Sequence, residues 1–168
     1  MREIWVNKNR CLHCLSCVLN CVVAQSGKFN LLGAINEVPA PKPRLFTVCD
    51  DEGTFLLMCR HCENSPCLEA CMAAAITRDA VSGTVAVNED RCVGCNMCIM
   101  VCPFGVIRQD REKSKILKCD SCPDTRQPAC VHACPTGALV LSQGKNYSDA
   151  KRNNYAACLL GADGGWAD

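Results

Sequence analysis

Cysteine is the residue type whose number and spacing in this chain are suited to chemistry. The 168 residues include 18 cysteines, and 16 of these fall into four groups of four. We number the groups I to IV in chain order: Cys11, Cys14, Cys17 and Cys21; Cys59, Cys62, Cys67 and Cys71; Cys92, Cys95, Cys98 and Cys102; Cys119, Cys122, Cys130 and Cys134. Groups I and III share the spacing C-x2-C-x2-C-x3-C, while the middle interval widens to four residues in group II and seven in group IV. This repeat organises the whole chain.

The spacing of groups I and III is typical of ligands to [4Fe-4S] clusters. Intervals of two residues let a tight loop place three thiolates around one corner of a cubane, each on a different iron. In the arrangement C-x2-C-x2-C-x3-C-P, the fourth cysteine ligates the other cluster of a pair. Pro103 and Pro135 directly follow the fourth cysteines of groups III and IV. Four groups therefore predict four [4Fe-4S] clusters, with each pair of groups sharing two of them.

Zinc and disulfides are the competing interpretations of so many cysteines. Structural zinc usually joins two C-x2-C knuckles that lie well apart in sequence, whereas these groups are compact. Disulfides require an oxidising compartment. The N-terminal residues contain neither an apolar stretch of signal-peptide length nor a twin-arginine pair, and no run is long enough to span a bilayer. We therefore expect a cytoplasmic protein with metal-bound thiolates and no direct insertion into a membrane.

The remaining composition leaves a thin apolar core. The hydrophobic fraction of 49% includes the cysteines, and aromatic residues contribute only 5%. We therefore expect folding to be coupled to cluster insertion. The formal net charge is +1, without basic blocks, which argues against a nucleic-acid partner. Four oxidised clusters would change this charge to about −7, and the 18 Lys and Arg residues would then offset buried negative charge.

Short elements are expected to position the cysteines. Pairs of β-favouring runs predict three hairpins, and short helices are expected after or beside the fourth cysteine of each group. The paired runs are 44–48 with 54–57, 75–77 with 84–87, and 105–107 with 115–117. The proline-rich segment 39–43 predicts a stiff connector between two halves. Near the C-terminus, Ser148 as N-cap and Gly161 as stop predict a helix that packs on its own module or docks a partner.

Three motifs carry a resemblance to a known family. They are Cys59-Arg60-His61-Cys62-Glu63-Asn64-Ser65-Pro66-Cys67, the run from Cys92 to Pro103, and Lys118-Cys119-Asp120-Ser121-Cys122-Pro123. The chain resembles, over about residues 4–142, the four-cluster ferredoxin-like electron-transfer subunits that accompany carbon monoxide dehydrogenases, formate dehydrogenases, hydrogenases, tungsten aldehyde oxidoreductase-type enzymes and molybdopterin reductases. The resemblance implies an α+β fold of two interleaved bacterial-ferredoxin-like modules, with short β-hairpins and short helices around pairs of clusters.

The resemblance also implies a nested pairing of the groups. From the residues alone, the linkers from II to III and from III to IV are both short enough for one ferredoxin module. In the family, groups II and III form an inner module and groups I and IV an outer one. The implied ligand sets are Cys59, Cys62, Cys67 and Cys102; Cys92, Cys95, Cys98 and Cys71; Cys11, Cys14, Cys17 and Cys134; Cys119, Cys122, Cys130 and Cys21. The family often has Pro-x-Gly after the fourth cysteine, which groups I and II lack, and we expect this to alter packing only.

The same reasoning divides the chain into three parts. Residues 1–50 plus 111–147 would form the outer module, 51–110 the inner module, and 148–168 a C-terminal helix and tail. We expect an electron-transfer subunit that relays single electrons between a catalytic redox subunit and a second electron carrier or subunit. A free-standing polyferredoxin, a zinc-bound interaction module and an enzyme that uses one cluster catalytically are the alternatives.

No catalytic site of the chain's own is expected. The sequence has no phosphate-binding loop, no nucleophile elbow and no dinucleotide fingerprint, and irons each held by a cysteine and three sulfides leave no open position. His13, His61 and His132 lie inside the cysteine groups, where they are either solvated spacers, tuners of cluster potential or ligands. Outside the groups, Cys49 is expected to be a buried apolar residue, and Cys158 either that or an exposed thiol. Trp5 and Trp166 are candidate interface residues.

Overall fold

A computed structural model describes residues 3–28, 30–50 and 53–160. Within these ranges the chain forms short helices and short strands. The helices are α1 (Ser16–Ala24), α2 (Leu31–Ile35), α3 (Pro66–Glu69), α4 (Met97–Val101), α5 (Ala129–His132) and α6 (Gly144–Leu159). The strands are β1 (Glu3–Val6), β2 (Phe46–Asp50), β3 (Gly53–Leu57), β4 (Ile76–Arg78), β5 (Val85–Val87), β6 (Arg108–Asp110), β7 (Lys115–Leu117) and β8 (Leu139–Ser142). The prediction of a mixed chain of short helices and hairpins is confirmed.

The strands form four antiparallel pairs. Three are hairpins, β2 with β3, β4 with β5 and β6 with β7, at the places where the sequence predicted them. β6 begins three residues later than expected, and Val106 and Ile107, which precede it, are buried in the interior. The fourth pair joins the two ends of the chain, with Glu3 opposite Ser142 and Val6 opposite Leu139. The sequence did not predict that pair.

Two separate groups of buried residues fill the interior. The outer core consists of Ile4, Cys17, Cys21, Leu45, Leu56, Met58, Cys130, Val131 and Leu139. The inner core consists of Ala75, Ile76, Val85, Cys92, Cys98, Ile107 and Ile116. Cysteines of groups I and IV therefore pack in one core, and cysteines of group III in the other. Leu56 and Met58 belong to the outer core although the sequence analysis assigned residues 51–110 to the inner module.

The helices carry the third cysteine of each group. Cys17, Cys67, Cys98 and Cys130 lie in α1, α3, α4 and α5, respectively. α1 packs against α5 and α3 against α4, which brings group I to group IV and group II to group III. The helices lie beside the fourth cysteine of each group, which is one of the two predicted placements. α3, α4 and α5 end shortly before it and a tight turn follows, whereas α1 contains Cys21.

The C-terminal helix begins earlier than predicted. Ser148 is not its N-cap but lies inside α6, where its hydroxyl donates to the Gly144 carbonyl at 2.8 Å. The Trp5 ring stacks on the Tyr147 ring in the first turn of α6, with 5.0 Å between centroids. This contact anchors the helix to β1. Gly161 and Trp166 lie outside the described residues.

The proline-rich connector is attached to the inner hairpin. Lys42 Nζ forms an ion pair with Asp110 at 2.8 Å, and the Arg108 guanidinium donates to the Pro43 carbonyl at 2.7 Å. These two contacts therefore hold the connector between the two halves against the inner hairpin. In the part of the chain that the structure describes, none of the helices is both long and apolar enough to cross a membrane.

Candidate metal centres

Each cysteine group bends at the same place. The residue immediately before the second cysteine has a left-handed backbone in all four groups: His13 at φ 55°, His61 at φ 46°, Gly94 at φ 68° and Ser121 at φ 60°. Left-handed geometry costs energy for a residue with a side chain. Its repetition shows that the four loops share one local design despite their different spacings.

A second shared bend follows the fourth cysteine in groups II, III and IV. The N–H of Ala74, Gly105 and Gly137 donates to the carbonyl of Cys71, Cys102 and Cys134, respectively. All three donors have positive φ. Group II therefore makes the same turn as the two Pro-x-Gly groups, although Ala74 is not suited to that conformation. Group I differs, because α1 continues through Cys21 to Ala24.

Four separate cavities are each lined by four cysteines. We call them sites A to D. Site A is lined by Cys11, Cys14, Cys17 and Cys134; site B by Cys21, Cys119, Cys122 and Cys130; site C by Cys59, Cys62, Cys67 and Cys102; site D by Cys71, Cys92, Cys95 and Cys98. The cavities hold about 300 to 400 Å³ of empty space each, their openings to solvent included. The structure thus brings together three cysteines of one group and the fourth of another at every site.

The thiols at these sites are suited to a bound cation. Burial, and secondarily the neighbouring thiols, raise the pKa of Cys98 to about 11 and that of Cys130 to about 12. Burial also raises the pKa of Cys119. Such groups stay protonated at neutral pH unless a cation replaces the proton. Soft thiolate donors select zinc, copper(I) or iron–sulfur clusters.

The arrangement favours a cluster over a single ion. Among the described residues, no three His, Cys, Asp or Glu side chains are arranged to hold one metal ion. The irons of a cubane each take one thiolate, so the four sulfurs around it need not converge on a point. The donor set at sites A to D therefore fits a [4Fe-4S] cluster.

Backbone N–H groups point at several of these sulfurs. Arg44 N–H donates to Cys21 Sγ at 3.2 Å, and Ala75 N–H to Cys71 Sγ at 3.3 Å. In the left-handed loops, His61 N–H lies 3.4 Å from Cys59 Sγ and Ser121 N–H lies 3.5 Å from Cys119 Sγ. Hydrogen bonds of this kind stabilise negative charge on a thiolate and tune the potential of a bound cluster.

The four sites follow one another as A, B, C and D. Helix α1 joins A to B, because its Cys17 lines site A and its Cys21 lines site B. Sites B and C are joined by a hydrogen bond between Ser121 Oγ and His61 Nε2 at 2.8 Å. Group II joins C to D, because its Cys67 lines site C and its Cys71 lines site D.

Exposure of the thiols distinguishes the ends of this row. Cys14 at site A and Cys95 at site D are exposed, whereas the other group cysteines are buried or half-buried. Leu12 beside Cys14 is 68% exposed, and Val93 beside Cys95 is 70% exposed. Each end of the row therefore combines an accessible cysteine with apolar surface.

The histidines differ from one another. His13 and His132 are exposed, as solvated spacers would be, whereas His61 is buried, which does not fit that alternative. His61 Nδ1 accepts from the Val85 N–H at 3.1 Å. Burial, followed by the charge of Lys118, lowers the pKa of His61 to about 4. No local feature of the sequence separates His61 from His13, because its burial comes from packing against the group IV loop.

Two cations that line the cysteine sites, Arg44 at site B and Lys118 at site C, had no individual role predicted from the sequence. Arg44 forms ion pairs with Asp120 at 2.6 Å and with Glu89 at 3.4 Å. Lys118 is buried and lines site C. The sequence carries only a general signal for these two residues, because many thiolates require compensating positive charge from Lys and Arg.

Trp5 has its partners inside the chain. Its indole N–H donates to the Ser142 carbonyl at 3.2 Å, and the Arg60 guanidinium lies 4.9 Å from its ring centroid. These contacts close the β1–β8 pair. The side chains of Cys49 and Cys158 lie outside the described part of the structure.

Comparisons with known proteins agree with this site chemistry. Residues 54–144 match the family model for a 4Fe-4S dicluster domain. An iron-sulfur protein of Rhodospirillum rubrum is 38% identical over 169 residues, which cover 91% of this chain and 88% of the relative. The thiosulfate reductase electron transfer subunit PhsB of Salmonella typhi is 33% identical, with 82% of this chain and 73% of the relative covered. The electron transport protein HydN of Escherichia coli is 32% identical, with 83% and 86% covered.

The resemblance inferred from the cysteine motifs is thus confirmed. A family match over more than half of the chain and relatives aligned over most of their length agree with each other. The chain belongs to the 4Fe-4S dicluster family and is an electron-transfer iron–sulfur protein.

Proposed function

We propose that the chain holds four [4Fe-4S] clusters, one at each of sites A to D, and relays single electrons along this row between a catalytic redox subunit and a second electron carrier. The observation that carries the proposal is that every site is lined by four cysteines, three from one group and one from another. A cluster bound by four thiolates takes up and releases one electron at a time.

The chain's own residues hold and insulate these centres. Cysteine thiolates fix the position of each site, and backbone N–H groups offset charge at Cys21, Cys59, Cys71 and Cys119. Leu56 and Leu139 at site A and Ile116 at site D keep the walls apolar. Because four thiolates close the coordination of each cluster, we propose that the chain has no catalytic site of its own.

The two ends of the row are where we propose that redox partners bind. Cys14 and Cys95 are the exposed cysteines among the four groups, and each has an exposed apolar residue close to it in sequence, Leu12 and Val93, respectively. The relative PhsB is named as a subunit of thiosulfate reductase, and we propose by analogy that this chain serves a catalytic subunit. Its location in the cytoplasm remains a prediction from cysteine chemistry.

The packing supports the proposal of two interleaved ferredoxin-like modules. α1 contacts α5 and α3 contacts α4, and the outer and inner cores are distinct sets of residues. We propose an inner module within 51–110 and an outer module from 1–50 plus 111–147, with the hairpin β2–β3 contributing to the outer core and β7 to the inner core. Residues 148–168 would form the tail.

The first test is the composition of the purified chain. Under anaerobic conditions we expect about 16 irons and 16 acid-labile sulfides per chain, with absorption near 400 nm that dithionite bleaches. Zinc in place of iron, without sulfide, would contradict the proposal. A count near eight irons would support two clusters instead of four.

The second test addresses the sharing of cysteines between groups. Cys102→Ser and Cys59→Ser lie in different groups but at one site, so both should perturb the same component of the electron paramagnetic resonance spectrum. Cys102→Ser and Cys98→Ser lie in one group but at different sites, and should perturb different components. The opposite pattern would assign each cluster to a single group. Cys158→Ser, outside the groups, serves as the control.

A further inference from the structure

We infer that Lys118 sets the reduction potential of the centre at site C, its fixed positive charge making that centre easier to reduce. This inference rests on the proposed function and deepens it. It concerns a single side chain that lies between two cysteine groups and contributes no ligand.

The ammonium group of Lys118 is enclosed by protein. The residue is 3% exposed. Its Nζ donates to the Val85 carbonyl, and to the Cys119 carbonyl at 3.3 Å. Carbonyl oxygens solvate a cation but carry no net charge. Among the described residues, no carboxylate forms an ion pair with Lys118.

A buried charge without a counter-charge is costly. The candidates for that counter-charge are the thiolates of site C, because Lys118 lines that cavity together with Cys59, Cys62 and Cys67. The favourable interaction therefore runs between the ammonium group and negative charge at this site.

Other cations near the centres are placed differently. Arg44, which lines site B, is neutralised by Asp120 and Glu89. Lys115 donates to the Cys92 carbonyl beside site D, but it is only half-buried and is partly screened by water. Lys118 combines full burial with the lack of an acidic partner in the described chain, so its charge should act most strongly on site C.

The sign of the effect follows from charge. Reduction adds one negative charge to a centre that is already negative. A fixed cation in the wall of the site, in a region of low dielectric constant, stabilises the reduced form more than the oxidised form. Removal of the cation should therefore shift the potential of site C to more negative values.

The test uses the full-length chain with its clusters loaded, and compares Lys118→Gln and Lys118→Met with the unmodified protein. Gln keeps a donor for the Val85 carbonyl and Met keeps the apolar volume, while both remove the charge. Lys118→Arg retains the charge, and Lys145→Gln removes an exposed lysine as the matched control. Potentials are measured by redox titration followed by electron paramagnetic resonance, with the site C signal identified as the one that Cys102→Ser alters.

We expect the ratio of reduced to oxidised site C at a fixed ambient potential to fall by about tenfold or more in both charge-removing variants, which is a shift of about −59 mV or beyond. Sites A and D should shift less. Lys118→Arg and Lys145→Gln should leave the site C potential close to that of the unmodified chain.

Unchanged potentials in Lys118→Gln and Lys118→Met, or equal shifts at all sites, would overturn the inference. Loss of iron in both variants would assign Lys118 to assembly of the site and would overturn it equally. Iron and sulfide content of the unmodified chain separates this failure from failure of the proposed function, because a chain without a cluster at site C contradicts the latter before any variant is compared.

Discussion

The inner and outer cores each pack around cysteine-lined sites, but they differ in how the chain connects their elements. The inner core lies on two local hairpins, β4–β5 and β6–β7, and its cysteines come from neighbouring stretches of chain. The outer core is closed by β1 and β8, which pair Glu3 with Ser142 across nearly the whole sequence. Closing such a long loop costs more entropy than closing a hairpin. The inner core can therefore form from local contacts, whereas the outer core depends on the intervening chain being folded.

We therefore expect that destabilising substitutions in the inner core also affect the outer core, whereas those in the outer core stay local. A substitution that destabilises the inner core disturbs the chain between β1 and β8, on which closure of the outer core depends. Clusters at sites A and B should therefore be lost as well. A fault at the chain ends should open the outer core and leave sites C and D intact. Three substitutions test this asymmetry.

The largest effect is expected from Gly94→Ala in the inner core. A Cβ at Gly94 would lie 2.2 Å from the Ser114 carbonyl oxygen, and the backbone there is left-handed. The combined clash and strain should destabilise the loaded protein by about 3–5 kcal/mol. Guanidinium unfolding followed by cluster absorbance should show all four clusters lost in one transition, at a lower denaturant concentration than in the unmodified chain.

Gly105→Ala is the matched control for Gly94→Ala. Gly105 has a similar φ of 61°, but a Cβ added there would meet no atom within 4 Å. The substitution should cost only about 1–2 kcal/mol of backbone strain. Equal losses of unfolding free energy in the two variants would show that the close approach of residue 94 to Ser114 does not affect stability.

A smaller and more local effect is expected from Trp5→Ala in the outer core. The substitution removes the stack on Tyr147 and the hydrogen bond to the Ser142 carbonyl. Because the ring is half-buried, a loss of about 2–3 kcal/mol is expected. Partial unfolding should release iron from sites A and B while the signals of C and D persist.

Val81→Ala serves as the control for Trp5→Ala, since Val81 is 96% exposed on the inner hairpin. It should leave cluster retention unchanged. Simultaneous loss of all four signals in Trp5→Ala would contradict the asymmetry between the two cores and would indicate a single cooperative unit.

The smallest effect is expected from Ala74→Gly, and it is stabilising. Ala74 has φ 46° in the turn where groups III and IV use glycine. Glycine relieves the left-handed strain but loses more entropy on folding, so the net gain should be below about 1 kcal/mol. A slower release of iron from sites C and D in mild denaturant would show this gain, and faster release would contradict it.

Local chemistry explains which features could be predicted from the sequence. Cysteine spacing marked all sixteen candidate ligands, and alternating β-favouring runs marked three hairpins. The residues alone did not decide the partner of group II, and packing of α3 on α4 now brings it to group III. The β1–β8 pair was missed because both strands are only four residues long and no turn connects them.

Other misses come from tertiary contacts. Ser148 has the chemistry of an N-cap, yet the stacking of Trp5 on Tyr147 accompanies a helix that starts at Gly144. His61 and His13 occupy equivalent positions in their loops, and only contact with Ser121 and Val85 distinguishes the buried one. Information of this kind is not present in the spacing of a motif.

The left-handed bends in the cysteine loops have an electrical consequence. By turning the chain before the second cysteine, they aim peptide dipoles inward, as at His61 and Ser121, and such concave arrays of amides attract anions whatever side chains they carry. The backbone conformation therefore supplies much of the affinity for the negatively charged centre that a cluster forms with its thiolates. Substitution of the surrounding residues can therefore change the reduction potential of a cluster while the backbone that binds it is kept.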